Sequence, residues 1–153
     1  MNKLLVVALL LSAALAHAQP LTMHDSDGVK WICGGVGADG RRELAALQSQ
    51  ANLALTFVTV KRGGYLADVG VQLYEAGAKA PRLQLTADGP MCLLNLPAGR
   101  YRIEATIGAT KRVADASIAK DARQALRLGF AFPGEPWDGI WASDEEKRQA
   151  KER

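Results

Sequence analysis

From Leu53 onward the apolar residues of this chain recur with a period of two, and glycines and prolines interrupt them about every ten residues. A period of two sends alternate side chains to opposite faces of a strand, so such a chain must build sheets with at least one buried face. Ala67, Val69, Val71 and Leu73 alternate with Asp68, Gly70, Gln72 and Tyr74. Tyr101, Ile103, Ala105 and Ile107 alternate with Arg100, Arg102, Glu104 and Thr106. Leu126, Leu128, Phe130 and Phe132 form the last run of this kind. Shorter apolar stretches lie at 83–85, at 91–96 and from Thr110 to about Ile118. Leu53, Leu55 and Phe57 open the series, but Val58 and Val60 fall on the other parity, which predicts a bulge or a strand buried on both faces. Gly63-Gly64, Gly77 to Pro81, Asp88-Gly89-Pro90 and Pro97-Ala98-Gly99 supply the turns. No strand–helix alternation of the parallel-sheet kind is present. Leu44, Leu47 and Ala51 make one apolar stripe on a helix over 39–50, with Asp39 placed to cap it. The pattern predicts an all-β fold: an antiparallel seven-stranded Greek-key β-sandwich with one short N-terminal helix.

The beginning of the chain has a different character. Lys3 precedes an apolar run of about a dozen residues that closes on Ala16-His17-Ala18, the pattern of a secretory signal peptide cleaved before Gln19. That run is shorter than the ~20 residues a membrane-spanning helix needs. The organisation expected is a signal at 1–18, an irregular arm at 19–38 with a turn at Asp25-Ser26-Asp27-Gly28, a helix-plus-sandwich domain at 39–132 and a charged tail at 133–153. The mature chain carries no second apolar stretch suited to a transmembrane anchor, so a periplasmic or secreted location is expected.

Lys3 is the only charged side chain before Gln19, so cleavage takes the net charge of +3 to +2. Scattered charges of that size do not make the basic face of a nucleic-acid binder. Two cysteines remain, Cys33 and Cys92. In an oxidising compartment an even pair suggests a disulfide, with two buried free thiols as the alternative. His24 is the one histidine left in the mature chain, so neither a metal site nor a cofactor site is read.

The stretch Thr86-Ala87-Asp88-Gly89-Pro90, followed by Leu94-Asn95-Leu96-Pro97-Ala98-Gly99 and Arg100-Tyr101-Arg102-Ile103, resembles carboxypeptidase regulatory-like domains. In these a D-G … L-P-x-G-x-Y-x-I/V hairpin is typical. The chain is also similar to small exported bacterial proteins of this kind through Gly34-Gly35-Val36-Gly37, the helix near Leu44, and Gly64-Tyr65-Leu66-Ala67-Asp68-Val69. The resemblance spans roughly residues 31–132. It implies a transthyretin-like β-sandwich and a non-catalytic companion module.

No catalytic residues are assigned. His24 sits in the expected arm, and no nucleophile signature surrounds Ser49, Ser117 or Cys92. Asp68 and Glu104 fall at outward strand positions and read as a solvated face. His24, Asp25 and Asp27 read as a polar turn rather than a cation site, because the distal Glu of a calcium loop is missing. Trp137 and Trp141 lie four apart beyond the last strand and either fold back on the sandwich or meet a partner. Arg100, Arg102, Lys111 and Arg112 project from neighbouring strands and suggest a face for an anionic ligand. The expectation is a non-enzymatic envelope protein that binds another, unidentified envelope protein. A carrier of a small ligand or anionic envelope polymer is the alternative, and an enzyme of unrecognised type comes third. Protein recovered from the producing cell's envelope should begin at Gln19 by N-terminal mass analysis; recovery of intact Met1 would show that the leader is retained.

Overall fold

The alternation resolves into two sheets whose inner faces share one core. The structure, a computed structural model, describes residues 21–61 and 63–134. The expected signal at 1–18 and the residues Trp137 and Trp141 lie outside the described residues. One sheet takes β1 (His24–Ser26), β2 (Val29–Gly34), β3 (Leu53–Thr59), β6 (Met91–Asn95) and β9 (Leu126–Phe132), in the order β1-β2-β6-β3-β9. The other takes β4 (Val69–Glu75), β5 (Leu83–Ala87), β7 (Gly99–Ile107) and β8 (Thr110–Ile118), in the order β5-β4-β7-β8. Leu53, Leu55, Phe57, Leu94, Phe130 and Phe132 of the first sheet meet Val69, Val71, Leu73, Tyr101, Ile103 and Ile118 of the second in the core. The result is a mostly β, sandwich-like arrangement with one α-helix, α1 (Gly37–Ala46).

Several expectations are corrected. The described residues hold nine strands rather than seven. The seven anticipated strands are β3 to β9; the other two come from the segment expected to be an irregular arm. Asp25-Ser26-Asp27-Gly28 is the end of a hairpin in which Ser26 pairs with Val29 and His24 with Trp31. Asp27 (φ 50°) and Gly28 (φ 78°) both take the left-handed conformation that a two-residue hairpin loop of this type demands. Val29 is fully buried and Ile32 nearly so, which is why the arm joins the sheet. Nor is the fold purely antiparallel: β9 runs parallel to β3, with Leu53 beside Leu126 and Thr59 beside Phe132. Period-two patterning is the same for either direction, so it could not report this.

The helix starts at Gly37 and ends at Ala46, followed by a 3-10 turn at Gln48–Gln50. Val36 occupies the cap position without a side-chain bond, and Asp39 instead pairs with Arg42 in the first turn. Leu44 is buried on the outer face of the first sheet against Ile32, Ala54 and Leu93, with Leu47 and Ala51 alongside. Strand β3 is thus covered on both faces at Ala54, whereas the off-parity residues that prompted the expectation, Val58 and Val60, are half-buried and exposed. No bulge interrupts its pairing with β9; its inner face makes the core while Ala54 on its outer face lies under the helix.

Two features tie the ends of β6 down. At Gly89 any side chain would collide with the backbone of Gly34 at the end of β2, so the β5–β6 turn and β2 approach only because glycine stands there. Cys33 and Cys92 face each other across β2 and β6, with Cα atoms 4.1 Å apart and sulfurs at disulfide distance. A bridge across a sequence separation of 59 restricts the unfolded chain by about 4 kcal/mol on the chain-entropy account. Native protein should therefore weigh two hydrogens less than its reduced form, and the Cys33→Ala/Cys92→Ala variant should lose roughly 4 kcal/mol in denaturant melts. Labelling of both thiols in native material would remove the bridge.

Candidate functional site

The turn that carries the resemblance motif behaves as its residues require. Gly99 adopts φ 155°, a conformation that side chains disfavour, and it reverses the chain into β7. Tyr101 and Ile103 then point into the core. The Tyr101 hydroxyl donates to the Pro97 carbonyl oxygen at 2.7 Å, closing the turn from inside. Burial raises the Tyr101 phenol above its ordinary value; nearby Arg82 partly opposes this and Glu75 adds to it.

The outward residues of β7 make the largest polar cluster. Arg100, Arg102, Glu104 and Thr106 lie on one face, with Gln72 and Tyr74 of β4 on one side and Lys111, Val113 and Asp115 of β8 on the other. Glu104 is not the solvated carboxylate expected from its parity: its side chain is only 11% exposed. Lys111 Nζ donates to its Oε2 at 2.7 Å, and an Arg102 guanidinium nitrogen stands 3.4 Å from its Oε1. The Arg102 guanidinium also lies 4.7 Å over the Tyr74 ring, and the Tyr74 hydroxyl donates to Gln72 Oε1 at 3.1 Å. One carboxylate lies between two cations and offsets much of the positive charge around it. The hydrogen bond to Glu104, and then its charge, raise Lys111 above the usual lysine value.

The four basic residues expected to form one face are therefore divided. Arg102 and Lys111 are committed to Glu104. Arg112 has the opposite parity on β8 and reaches across the open side of the sandwich, where its Nε donates to the Ala131 carbonyl oxygen of β9 at 3.0 Å. Arg100 alone of the four makes neither an ion pair nor a side-chain hydrogen bond among the described residues, and it borders an open depression of about 650 Å³ with Tyr101, Asp115, Ser117 and Glu75. Counting across the two-residue turn Gly108-Ala109 would have placed Lys111 diagonal to Glu104 and exposed this neutralisation in the sequence.

The remaining candidates are dispersed. His24 is on β1, its ring centroid 4.4 Å from that of Trp31, and Asp25 sits opposite Lys30. Among the described residues no group of three or more histidine, cysteine or acidic side chains converges as a metal site would. No helix among them is long and apolar enough to cross a membrane.

The sheet edges differ in accessibility. β1 has three residues, and β5 has five between Pro81 and Pro90. β9 is approached by Arg112. β8 is nine residues long, pairs with β7 along its whole length, and among the described residues has no hydrogen-bonded strand on its other side, although β9 of the other sheet lies near it. Its Val113 is 54% exposed. Protein-family models and curated proteins give no match to this chain.

Two of these geometries can be tested by titration. Tyr101 should ionise above the ordinary tyrosine range. The raised phenol contributes fully below the ordinary tyrosine range, and the contribution is lost as pH climbs through the folded-state value. Tyr101→Phe should therefore delete an absorbance phase above the ordinary tyrosine range and cost roughly 1–2 kcal/mol at neutral pH by leaving the Pro97 carbonyl unpaired. Glu104→Gln should bring Lys111 down toward the ordinary lysine value in an NMR titration; an unchanged Lys111 would dissolve the pair.

Proposed function

We propose that this chain is an exported, non-enzymatic envelope protein: a carboxypeptidase regulatory-like, Greek-key sandwich that acts as a protein-interaction module. Cleavage after Ala18 would deliver it to the periplasm or beyond. The two sheets over one core and the Pro97–Tyr101 turn support the family reading, with β1 and β2 as an added hairpin. The observation that carries the interaction reading is β8, a long strand with one partnered and one unpartnered side. The closing pair of a two-residue hairpin, here Ile107 and Thr110, is hydrogen-bonded, and bonded pairs then alternate along the strands. On that alternation Lys111, Val113, Asp115 and Ser117 turn their N–H groups away from β7. An extended partner segment would take these groups by strand addition, and Val113 would give it an apolar contact. Lys111, Arg112 and Asp115 would keep two copies of β8 from pairing indiscriminately.

Val113→Pro removes one outward N–H without touching the β7 ladder, a substitution that edge strands tolerate. The variant should keep its melting temperature within a few degrees, yet lose the partners that the wild-type mature chain crosslinks in native envelopes. Equal crosslinking by both would rule out the edge.

A second reading, capture of an anionic envelope polymer, is favoured by one observation only, the unpaired Arg100 beside the open depression. Since Arg102 and Lys111 are already neutralised, Arg100→Glu should abolish retention on an anionic glycan column and Arg112→Glu should not. Unchanged retention of the Arg100 variant ends that reading.

A further inference from the structure

Helix α1 covers part of the outer face of the first sheet. Leu44 and Leu47 shield Ile32, Ala54 and Leu93. Beyond them, the outward positions of β3 and β9 continue as Thr56, Val58 and Val60 beside Gly129 and Ala131. Tyr65 pairs with Val58 and so shares this face. Tyr65 is 51% exposed and Val60 62%, and the space above Gly129 is open. Small residues form the floor of this strip and larger apolar ones its end. Its surroundings are basic: the Arg41 guanidinium lies 5.6 Å from the Tyr65 ring centroid, Arg127 is on the outer face of β9, and Lys61 follows Val60.

The chain leaves the described residues at this same corner. Thr59 pairs with Phe132, the Val60 N–H donates to the Phe132 carbonyl at 2.9 Å, and Gly134 turns with φ 78°. Within the next few residues come Trp137, Ile140 and Trp141, an apolar triplet at helical i, i+3, i+4 spacing. Residues 135–146 also carry Glu135, Asp138, Asp144, Glu145 and Glu146 with no lysine or arginine. The five residues from Phe132 to Trp137 can span up to about 17 Å. Gly129 lies about 10 Å back along β9. So short a tether gives a local concentration on the order of 1 mM, and a weak intrinsic contact suffices to close it.

We propose that the uncovered strip formed by Val58, Val60, Tyr65, Gly129 and Ala131 is the docking site of the chain's own segment 137–141, held by its two tryptophans and by acidic flanks facing Arg41 and Arg127. This placement assigns the segment to the protein's own surface rather than to a partner. It uses the outer face of the first sheet, whereas the β8 edge belongs to the other sheet.

The test uses the full mature chain with Trp31→Phe, so that Trp137 and Trp141 alone report. Their emission should be blue-shifted, and acrylamide quenching severalfold weaker, than in a free peptide of residues 133–153. Both signatures should be independent of protein concentration. Val60→Glu and, separately, Gly129→Glu place a repelling charge on the strip without entering the core. Each should move emission and quenching to the values of the free peptide while the thermal melt persists. Emission already equal to the free peptide in the parent would overturn the proposal, as would protection indifferent to both substitutions. Protection that falls on dilution would overturn it in favour of docking onto a second copy.

Discussion

Strand β3 has apolar residues on both parities, and its first half is covered on both faces. Its inner side chains, Leu53, Leu55 and Phe57, are fully buried and join the two sheets. Its outer residue Ala54 draws α1 onto the sheet through Leu44. Its two neighbours are β6, which brings β2 and the N-terminal hairpin with it, and β9, which closes the sheet on the other side. The arrangement of the remaining elements follows from satisfying this one strand. Where the covering helix stops, the outer face of β3 is left exposed at Val60.

Around this centre the connections are held by local chemistry. Asn52 imitates a strand residue: its side-chain nitrogen donates to the Leu96 carbonyl and its side-chain oxygen accepts from the Leu96 N–H. The Tyr101 hydroxyl on the Pro97 carbonyl fixes the next turn. Gly89 lets the β5–β6 turn rest on Gly34, one residue from the Cys33–Cys92 pair. Each of these contacts has a partner between residue 89 and residue 101, within the stretch whose sequence resembles carboxypeptidase regulatory-like domains. Its motif is thus intelligible as turn geometry and packing, and says nothing by itself about a ligand.

Electrostatics narrow the surface readings. Four basic side chains close in sequence suggested a cationic face. Glu104 holds two of them and the edge of β9 occupies a third, leaving Arg100. A charge already satisfied within the protein contributes little to capturing an anion, because binding would have to break the existing pair. The proposal of an interaction module therefore rests on unpaired backbone rather than on charge.

The sequence by itself determined the strands β3 to β9, their turns and the stripe on the helix. Each depends on local periodicity, or on residues such as Gly99 and Pro97 whose backbone preferences act in place. It also marked Cys33 and Cys92 as a pair by count and expected compartment. The N-terminal hairpin was legible at Asp27-Gly28, a two-residue loop signal, but its strands are short and β1 has no buried residue to announce it. Only the tertiary structure decided that β9 runs parallel to β3, that Arg112 reaches the Ala131 carbonyl of β9, and that β8 ends a sheet. Periodicity reports how deeply a residue is buried. It does not report which strand lies beside it, in which direction, or whether the neighbouring charge is a partner or solvent.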